Sequence, residues 1–395
     1  MKVLLLTQVL PYPPDSGPKI KTWNVLKYLA QKHEVTLVSF VRGDQSQDIQ
    51  FLEPYCKAIY TTPMKRGILR DLAFLALSLI KNQPFIILRD DRKPMRELVD
   101  RLSDQEQFDI VHADQLNMAQ YAHRVSRARK ILDAHNALWL LYKRLWQTMP
   151  PGPKKWLLKR DWNLMKAYEG LICREFFHVL AVSEEDKSAL EEAAGVPLNL
   201  TIIPIAVDTE QINLIQRRSD ANDILHIGTM FWPPNVDGVL WFLREVLPLI
   251  YDEQPQLRVN IIGANPPAEI VAFEKSIYGV YVTGYVEDPM PYYLRTGVMV
   301  VPLRAGGGMR VKILNALAQG LPIVTTTIGC EGIEVESGQH LLVADTAESF
   351  AQATLLLLND RKFAQELGRN GRALIQTKYD YRVACQTLDR VYMEP

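Results

Sequence analysis

Short, continuous apolar segments alternate with helix-forming segments along almost the whole chain. In the first half the apolar segments are KVLLLT (2–7), HEVTLVSF (33–40), FDIVHA (108–113), ARKILDAHN (128–136) and HVLAVS (178–183). Apolar residues at consecutive positions are typical of strands buried on both faces of a parallel sheet. Between the first two segments, Ile20, Trp23 and Leu26 follow the spacing of an amphipathic helix. This alternation predicts an α/β fold with a doubly wound parallel sheet.

The second half repeats the alternation, which predicts a second doubly wound domain. Its apolar segments are DILHIG (223–228), LRVNIIG (257–263), VYVTGYV (280–286), GVMVVP (297–302), LPIVTT (321–326) and HLLVAD (340–345). A chain of 395 residues is also longer than one ordinary hydrophobic core supports. With the proline-containing segment 196–210 as the linker, we expect domains at 1–203 and 204–377. A C-terminal helix at about 378–395 can pack back on the first domain.

Ligands of doubly wound sheets bind beyond the carboxyl ends of the strands. Among the loops that follow predicted strands, the one after GVMVVP has the most distinctive sequence. Gly306, Gly307 and Gly308 permit positive φ and let the backbone approach a ligand closely. Arg310 and Lys312 follow at the start of a predicted helix, where free N–H groups and cations favour a phosphate. The P-loop pattern is absent. The alternative is a flexible surface loop.

Three loops of the first half also carry candidate polar groups. Gly17 precedes a helix and permits an anion at its N-terminus, although an ordinary proline-rich turn fits equally. His112 and Asp114 end one strand, while His135 and Asn136 follow another. Because strand residues alternate in facing, one of the first pair can be packed inside the fold. His135 is the better catalytic candidate.

Charge and composition exclude some classes of partner. Lys+Arg and Asp+Glu both number 45, which argues against nucleic acid. Residues 1–200 contain 29 basic and 23 acidic side chains, and residues 201–395 contain 16 and 22. This asymmetry indicates either an anionic partner of the first half or attraction between domains of unlike charge.

Cysteine usage and hydropathy predict a cytoplasmic protein. Cys56, Cys173, Cys330 and Cys385 are far apart and show no metal-ligand spacing, as expected in a reducing compartment. Met1–Leu10 has the pattern of a first buried strand and lacks the features of a signal peptide. No uninterrupted apolar run reaches the roughly 18 residues of a spanning helix.

Several sequence blocks together resemble one enzyme family. The block VTGYVEDPMPYYLRTGVMVVPLRAGGGMRVKILNALAQGLPIVTTTIGCEGIEV, with LHIGTMFWPPNVDGVLWFLREVLP and ESGQHLLVAD, is similar to the donor-binding domain of retaining GT-B glycosyltransferases of family 4. The branch that it resembles most builds bacterial surface polysaccharides. PYPPDSGPKIKTWNVLKYLAQKHEVTLVSF, FDIVHADQLNMAQYA and ILDAHNALW resemble the acceptor domain. The resemblance covers nearly the whole chain and implies two Rossmann-like domains that face an inter-domain cleft.

The resemblance also implies roles for individual residues. Arg310 and Lys312 would hold the donor diphosphate, and His135 would face the donor sugar. The catalytic candidates are His135, Arg310, Lys312 and Asp114. Candidate donor-binding residues are Gly17, Gly228, Asn235, Tyr285, Val286, Gly306, Gly307, Gly308 and Asn315. Candidate acceptor-binding residues are Lys19, Lys21, His112 and Asn136.

Two positions depart from the pattern of many family members. Asn315 stands where a glutamate normally accepts hydrogen bonds from the ribose hydroxyls. An amide replaces a charge-assisted bond with a neutral one, which is about half as strong. Asp114 stands where many relatives carry histidine, and a carboxylate there could orient an acceptor hydroxyl. Gly307 stands at the first position of the family's Glu-x7-Glu pattern, where glycine is common in this branch.

The implied reaction is transfer of a sugar from a nucleotide diphosphate sugar, with retained anomeric configuration. A UDP-sugar is the expected donor, and GDP- and ADP-sugars are the alternatives. Front-face substitution is the default that the resemblance implies, and no metal or other cofactor is expected. A nucleotide-sugar epimerase on the same fold is one alternative. The other is a degenerate sugar-nucleotide-binding protein, motivated by Asn315.

Two segments predict contact with an acceptor at a membrane. Residues 138–166 contain seven basic residues, one acid and four tryptophans, and 64–81 is an apolar segment flanked by cations. This composition is typical of interfacial anchors and suits a glycan or lipid-linked acceptor on the inner face of the plasma membrane. In the alternative, 72–80 is a buried core helix and 138–166 is an ordinary helical hairpin.

Overall fold

A seven-stranded parallel sheet organises the first of two units in the computed structural model, which describes residues 1–306 and 308–393. This unit comprises residues 1–205 and the tail from Ala384. Its strands are β1 (Lys2–Thr7), β2 (Glu34–Val41), β3 (Ala58–Pro63), β4 (Ile110–Asp114), β5 (Arg129–Asp133), β6 (His178–Ala181) and β7 (Leu200–Ile202). They lie in the order β3-β2-β1-β4-β5-β6-β7.

Helices cover this sheet because its central strands have no polar face. The central β1 is buried from Val3 to Thr7, as expected for a strand between two helical layers. The helices are α1 (Gly17–Ala30), α2 (Ser46–Leu52), α3 (Ile68–Lys81), α4 (Phe85–Asp90), α5 (Lys93–Gln105), α6 (Leu116–Ala122), α7 (Leu138–Thr148), α8 (Pro153–Glu175) and α9 (Glu184–Ala194), with a 3₁₀ turn at Glu53–Tyr55. Ser183 caps α9 by accepting from the Asp186 amide at 3.1 Å, as its capping-box pattern predicts.

The second unit, residues 206–383, is built around a six-stranded parallel sheet. Its strands are β8 (Asp223–Ile227), β9 (Val259–Ile262), β10 (Val280–Gly284), β11 (Thr296–Val301), β12 (Ile323–Thr325) and β13 (Leu342–Val343). The order is β10-β9-β8-β11-β12-β13. Since β8 and β11 are neighbours, the loops that follow them leave the sheet side by side.

The remaining helices except α18 begin in this second unit. They are α10 (Pro233–Trp241), α11 (Leu247–Glu253), α12 (Ala268–Ser276), α13 (Met290–Tyr293), α14 (Val311–Ala318), α15 (Ala347–Asn359), α16 (Arg361–Leu374), α17 (Tyr381–Ala384) and α18 (Thr387–Met393). π-Helical turns occupy Phe242–Val246 and Ile375–Tyr379. The chain returns to the first unit at Ala384, so α18 belongs to that unit. The predicted α/β class with two doubly wound domains is confirmed.

One local prediction, the linker, differs from the structure, and the two alternatives to membrane contact have different outcomes. The predicted linker 196–210 contains β7, which pairs with β6. The segment 72–80 is not a buried core helix, since Ser78 is the only fully buried residue of α3. Segment 138–166 has the packing of a helical hairpin, because α7 and α8 lie against each other, and Trp139 is buried within the core.

Candidate functional site

The ammonium of Lys312 lies at the carboxyl end of β8. Lys312 stands in the first turn of α14, and its Nζ donates to Asn235 Oδ1 at 3.1 Å. The Asn235 amide is oriented in turn, because its Nδ2 donates to the Thr229 carbonyl at 2.8 Å. A Cβ atom at Gly228 would lie 2.5 Å from the Lys312 Nζ. Gly228 is therefore the residue that lets the cation approach the strand end.

Arg310 lies beside this cation at the N-cap of α14. Its Nη1 donates to the Gly308 carbonyl at 2.8 Å, and a Cβ on Gly306 would lie 2.7 Å from its Nη2. Gly306 and Gly308 have φ values of 125° and 78°, which disfavour residues with a side chain. The glycine loop therefore folds closely around the guanidinium. Gly307, also predicted to bind the donor, lies outside the described residues.

The surroundings of Lys312 disfavour its charge. Burial, and then the nearby Arg310, lower the pKa of Lys312 to about 7. Beneath it, burial and the Lys312 charge lower the pKa of His226 to about 3. The His226 Nδ1 lies 3.0 Å from the Val300 carbonyl, an arrangement that requires the proton on Nδ1 of the neutral ring. An anion bound at this position would relieve the repulsion between the two cations.

Asn315 lies on the same face of α14 as Lys312, one turn further along. Both residues are partly exposed, whereas Ile313, Leu314 and Ala316 pack into the core. Asn315 therefore faces the same side as the cation, as a residue that contacts the donor must.

The loop after β10 presents Tyr285, whose side chain is largely exposed, followed by the partly buried Val286. The loops of neighbouring strands are linked, since the Gly263 amide donates to the Gly284 carbonyl at 2.7 Å. The predicted donor residues of this unit that the structure describes thus all follow strand ends or lie on the helices just beyond them.

In the first unit, Asp114 and His135 contact each other at the ends of β4 and β5. The His135 Nε2 lies 2.9 Å from Asp114 Oδ1, and the Thr22 hydroxyl lies 2.9 and 3.0 Å from the two Asp114 oxygens. If His135 is neutral, its contact with the carboxylate places the proton on Nε2 and leaves Nδ1 as an acceptor. The His135 Nδ1 is buried and has no hydrogen-bond partner among the described residues.

A buried ion pair lies directly beside this contact. The Lys21 ammonium bonds to Asp133 Oδ1, and His112 Nε2 lies 3.5 Å from Asp133 Oδ2. Burial alone would raise the pKa of Asp133, but Lys21 and the neighbouring imidazoles hold that pKa well below its usual range. On its other side, the His112 Nδ1 lies 2.8 Å from the Tyr392 hydroxyl of α18.

These contacts involve two of the four residues predicted to bind the acceptor. Lys21 and His112 are fully buried and bonded to other residues of the first unit, so neither side chain is available to an acceptor in this conformation. Lys19 and Asn136 are partly exposed. Lys19 pairs with Asp15 at 3.1 Å. Gly17 is the first residue of α1, as its predicted place at a helix N-terminus requires.

Asp114, Asp133 and His135 could each supply one metal ligand, with all three atoms within 4.8 Å of one another. Both carboxylates are already bonded, however, Asp133 to Lys21 and Asp114 to Thr22. The cation that faces these carboxylates in the structure is therefore an ammonium group, and a metal ion would have to displace it.

Sequence reasoning missed His226, Thr22 and Tyr392. Both His226 and Thr22 lie within recognised elements, so the only available signal was a polar residue in an otherwise apolar strand or helix. Tyr392 gave no signal, because 280 residues separate it from His112.

Comparison with known proteins identifies the family. Residues 20–211 match the family described as Glycosyltransferase Family 4, and residues 221–360 match the family described as Glycosyl transferases group 1. A Klebsiella pneumoniae protein, described as an uncharacterized 44.6 kDa protein in the cps region, is 23% identical over 389 residues, which are 96% of each chain. The capsular polysaccharide biosynthesis glycosyltransferase CapM of Staphylococcus aureus is 27% identical over 122 residues, 29% of this chain and 30% of CapM.

A solved structure with the same fold covers the whole chain. HepE from Anabaena, in complex with UDP-glucose, superposes with a TM-score of 0.66 at 14% identity, covering 99% of both chains. The family matches fall on both units, and each unit has the parallel sheet that this fold requires. The chain therefore belongs to the GT-B glycosyltransferases of family 4, and it is a glycosyltransferase.

Proposed function

We propose that this enzyme transfers a sugar from a UDP-sugar to a growing glycan or lipid-linked acceptor, with retained anomeric configuration. The observation that carries the proposal is the meeting of Lys312, Asn235 and Gly228 at the end of β8, beside Arg310. Two adjacent cations at strand ends suit a diphosphate. HepE, which shares the fold, is described with UDP-glucose, and this supports uridine as the base.

The chemical task of the site is to stabilise the leaving diphosphate. Negative charge grows on that group as the glycosidic bond breaks, and cations already in place lower the barrier without reorganising. Arg310 and Lys312 would supply this stabilisation, so no metal ion is required for the step. His135, through its Nδ1 acceptor, is proposed to act on the donor sugar, and Asp114 to hold that imidazole in position.

The bonding of the buried carboxylates favours front-face substitution. Asp133 is bonded to Lys21, while Asp114 accepts hydrogen bonds from Thr22 and His135. A double displacement needs a carboxylate that is free to attack the anomeric carbon. Neither Asp133 nor Asp114 is free, because both are already bonded to other side chains.

The acceptor and location are proposed from the relatives. One relative is described as lying in a cps region and another as a capsular polysaccharide biosynthesis glycosyltransferase. We place the enzyme in the cytoplasm, at the inner face of the membrane. No helix in the described part of the chain is long and apolar enough to cross a membrane.

A donor panel tests this proposal. The enzyme is incubated with UDP-, GDP- and ADP-sugars, and early hydrolysis products are followed by proton NMR. We expect release of UDP with the α-anomer of the sugar from an α-linked donor, unchanged by EDTA. Lys312→Met and Arg310→Met should each lower turnover by about 10²–10³-fold, whereas Lys275→Met, at an exposed site on α12, should not. A β-anomer as first product would contradict retention, and loss of activity in EDTA would contradict the metal-free step.

Asn315 tests the same site from the ribose side. Restoring a carboxylate with Asn315→Glu should tighten UDP binding by about tenfold, because a hydrogen bond to a charged acceptor is worth roughly 1.5–3 kcal/mol. Inorganic pyrophosphate has no ribose, so its binding should not improve. Equal changes for both ligands, or no change for either, would show that position 315 does not contact the ribose.

A further inference from the structure

Helix α3 presents its apolar side chains to solvent. Ile68, Leu69 and Ile80 are 81%, 84% and 81% exposed, and Leu72 and Leu79 are also exposed. Single exposed apolar residues are ordinary, but a contiguous patch on one element marks an interaction surface. The surface is defined here as the outer face of α3 and comprises Ile68, Leu69, Leu72, Ala73, Ala76, Leu79 and Ile80.

The outer face of α3 forms a continuous apolar stripe along one side of the helix. At about 100° per residue, its seven members fall within an arc of roughly 140°. The inward side carries the polar Asp71, which is partly buried, and Ser78, the one fully buried residue of the helix. The partly buried Phe74, Leu75 and Leu77 also lie outside the arc, so apolar side chains occupy both sides of α3, and those of the outer face are the exposed ones.

Polar contacts hold α3 in this orientation. The Ser78 hydroxyl donates to the Gln83 carbonyl at 2.6 Å, and Arg160 of α8 donates to Ser78 Oγ at 3.2 Å. Trp156, which is 62% exposed, stands one helical turn before Arg160 on α8. An exposed aromatic residue thus stands one helical turn from the arginine that contacts α3.

Cations border the outer face of α3. Lys65, Arg70 and Lys81 are exposed, and no acidic partner contacts them within 4.0 Å in the described part of the chain. An apolar stripe with a basic margin is the composition of a helix that lies in the plane of an anionic bilayer. A second copy of the chain fits less well, because pairing two such helices would bring like charges together.

We propose that α3 is an interfacial anchor whose outer face enters the headgroup boundary of an anionic lipid bilayer. The reason for docking, access to a lipid-linked acceptor, rests on the proposed function, but the docking itself does not. Lys65, Arg70 and Lys81 contact lipid phosphates while Ile68, Leu69, Leu72 and Ile80 lose their contact with water. Binding therefore requires both the anionic lipid and the apolar stripe.

Vesicle flotation of the full chain tests this anchor. At low salt, the protein should float with phosphatidylglycerol–phosphatidylcholine vesicles and much less with pure phosphatidylcholine. The double variant Leu69→Glu/Leu72→Glu should lower the bound fraction at least tenfold. Leu356→Glu, at an exposed leucine on α15 of the second unit, is the matched control and should float like the wild type. Lys65→Gln/Arg70→Gln/Lys81→Gln should bind anionic vesicles as weakly as neutral ones.

Further measurements make each outcome decisive. Circular dichroism and UDP binding establish that the variants are folded. Absence of wild-type flotation, or equal flotation of Leu69→Glu/Leu72→Glu, would overturn the proposal. So would a wild-type dimer, seen by light scattering, that this variant dissociates. Flotation without UDP-sugar turnover would leave the anchor standing while the proposed function fails.

Discussion

The ammonium of Lys312 is held in a position where it could bind an anion. Its ammonium donates to Asn235, lies over Gly228 and stands near Arg310. None of these neighbours provides a negative charge, so the cation is positioned but not neutralised. A bound diphosphate would supply the missing charge.

Gly228→Ala tests the close approach of Lys312. The new Cβ would lie 2.5 Å from Nζ, so the flexible ammonium must move away from the donor position. We expect the Kd for UDP, measured by calorimetry, to rise about tenfold or more, since a charge-assisted hydrogen bond is worth roughly 1.5–3 kcal/mol. Gly67→Ala, where nothing lies within 4 Å of the added atom, is the control. Unchanged UDP affinity in Gly228→Ala would contradict this role of Lys312.

The lowered pKa of Lys312 predicts pH-dependent binding. With a pKa of about 7 in the free enzyme, the lysine is increasingly neutral as the pH rises, whereas a bound diphosphate favours the charged form. UDP affinity should therefore be highest below pH 7 and fall by up to about tenfold per pH unit above it. Terminal phosphates ionise with a pKa near 6, so a comparison of pH 7.5 with pH 9 isolates the lysine.

Lys312→Arg provides the control for this pH dependence. Arginine stays charged throughout the range, so its UDP affinity should be flat from pH 7.5 to 9. A wild-type affinity that is equally flat would mean that Lys312 is charged in the free enzyme.

At the scale of elements, apolar continuity made the central strands predictable. β1, β8 and β11 are buried on both faces, and each has the largely apolar sequence that predicts such a strand. β3 lies at a sheet edge and is mostly half-buried, and β7 is three residues long within a proline-containing segment. β3 lacks the continuous apolar run that identifies a central strand, and the prolines around β7 favoured a linker, so both escaped prediction.

Helix α7 depends on a carboxylate from α8. The two carboxylate oxygens of Glu169 accept from the backbone amides of Leu138 and Trp139 at 3.1 and 3.0 Å, which caps the helix N-terminus. Glu169→Ala removes this acceptor from both amides, of which that of the buried Trp139 is in the core. We expect a loss of at least about 2 kcal/mol in unfolding free energy by urea titration; a change within 0.5 kcal/mol, typical of surface sites, would contradict this cap.

The pH dependence of the same cap has a definite sign. Burial raises the pKa of Glu169 from 4.5 to about 8, so the folded state favours the protonated form. Its contribution to stability is therefore present below pH 4.5 and is lost as the pH rises towards 8. The stability of the wild type relative to Glu169→Gln should fall over this range, because glutamine does not titrate. A constant difference would mean that Glu169 is ionised in the folded protein at all these pH values.

At the scale of the molecule, the fold and the grouping of the predicted donor residues at strand ends were readable from the sequence, whereas the contacts of the first unit were not. The glycine triplet and two cations follow a strand in the sequence itself, so their grouping needs only local rules. Lys21 and Asp133 are separated by 112 positions in the sequence, and His112 and Tyr392 are separated by 280. Only the completed fold brings such residues together, and it buries two residues that were predicted to bind the acceptor.

Hydrogen exchange of the whole chain with and without UDP tests the central claim most directly. If the diphosphate is held by the strand-end loops of the second unit, UDP should slow amide exchange in 228–235 and 308–316. Exchange in the α15 helix should remain unchanged. Protection confined to the first unit, or no protection in those two loops at saturating UDP, would contradict the account.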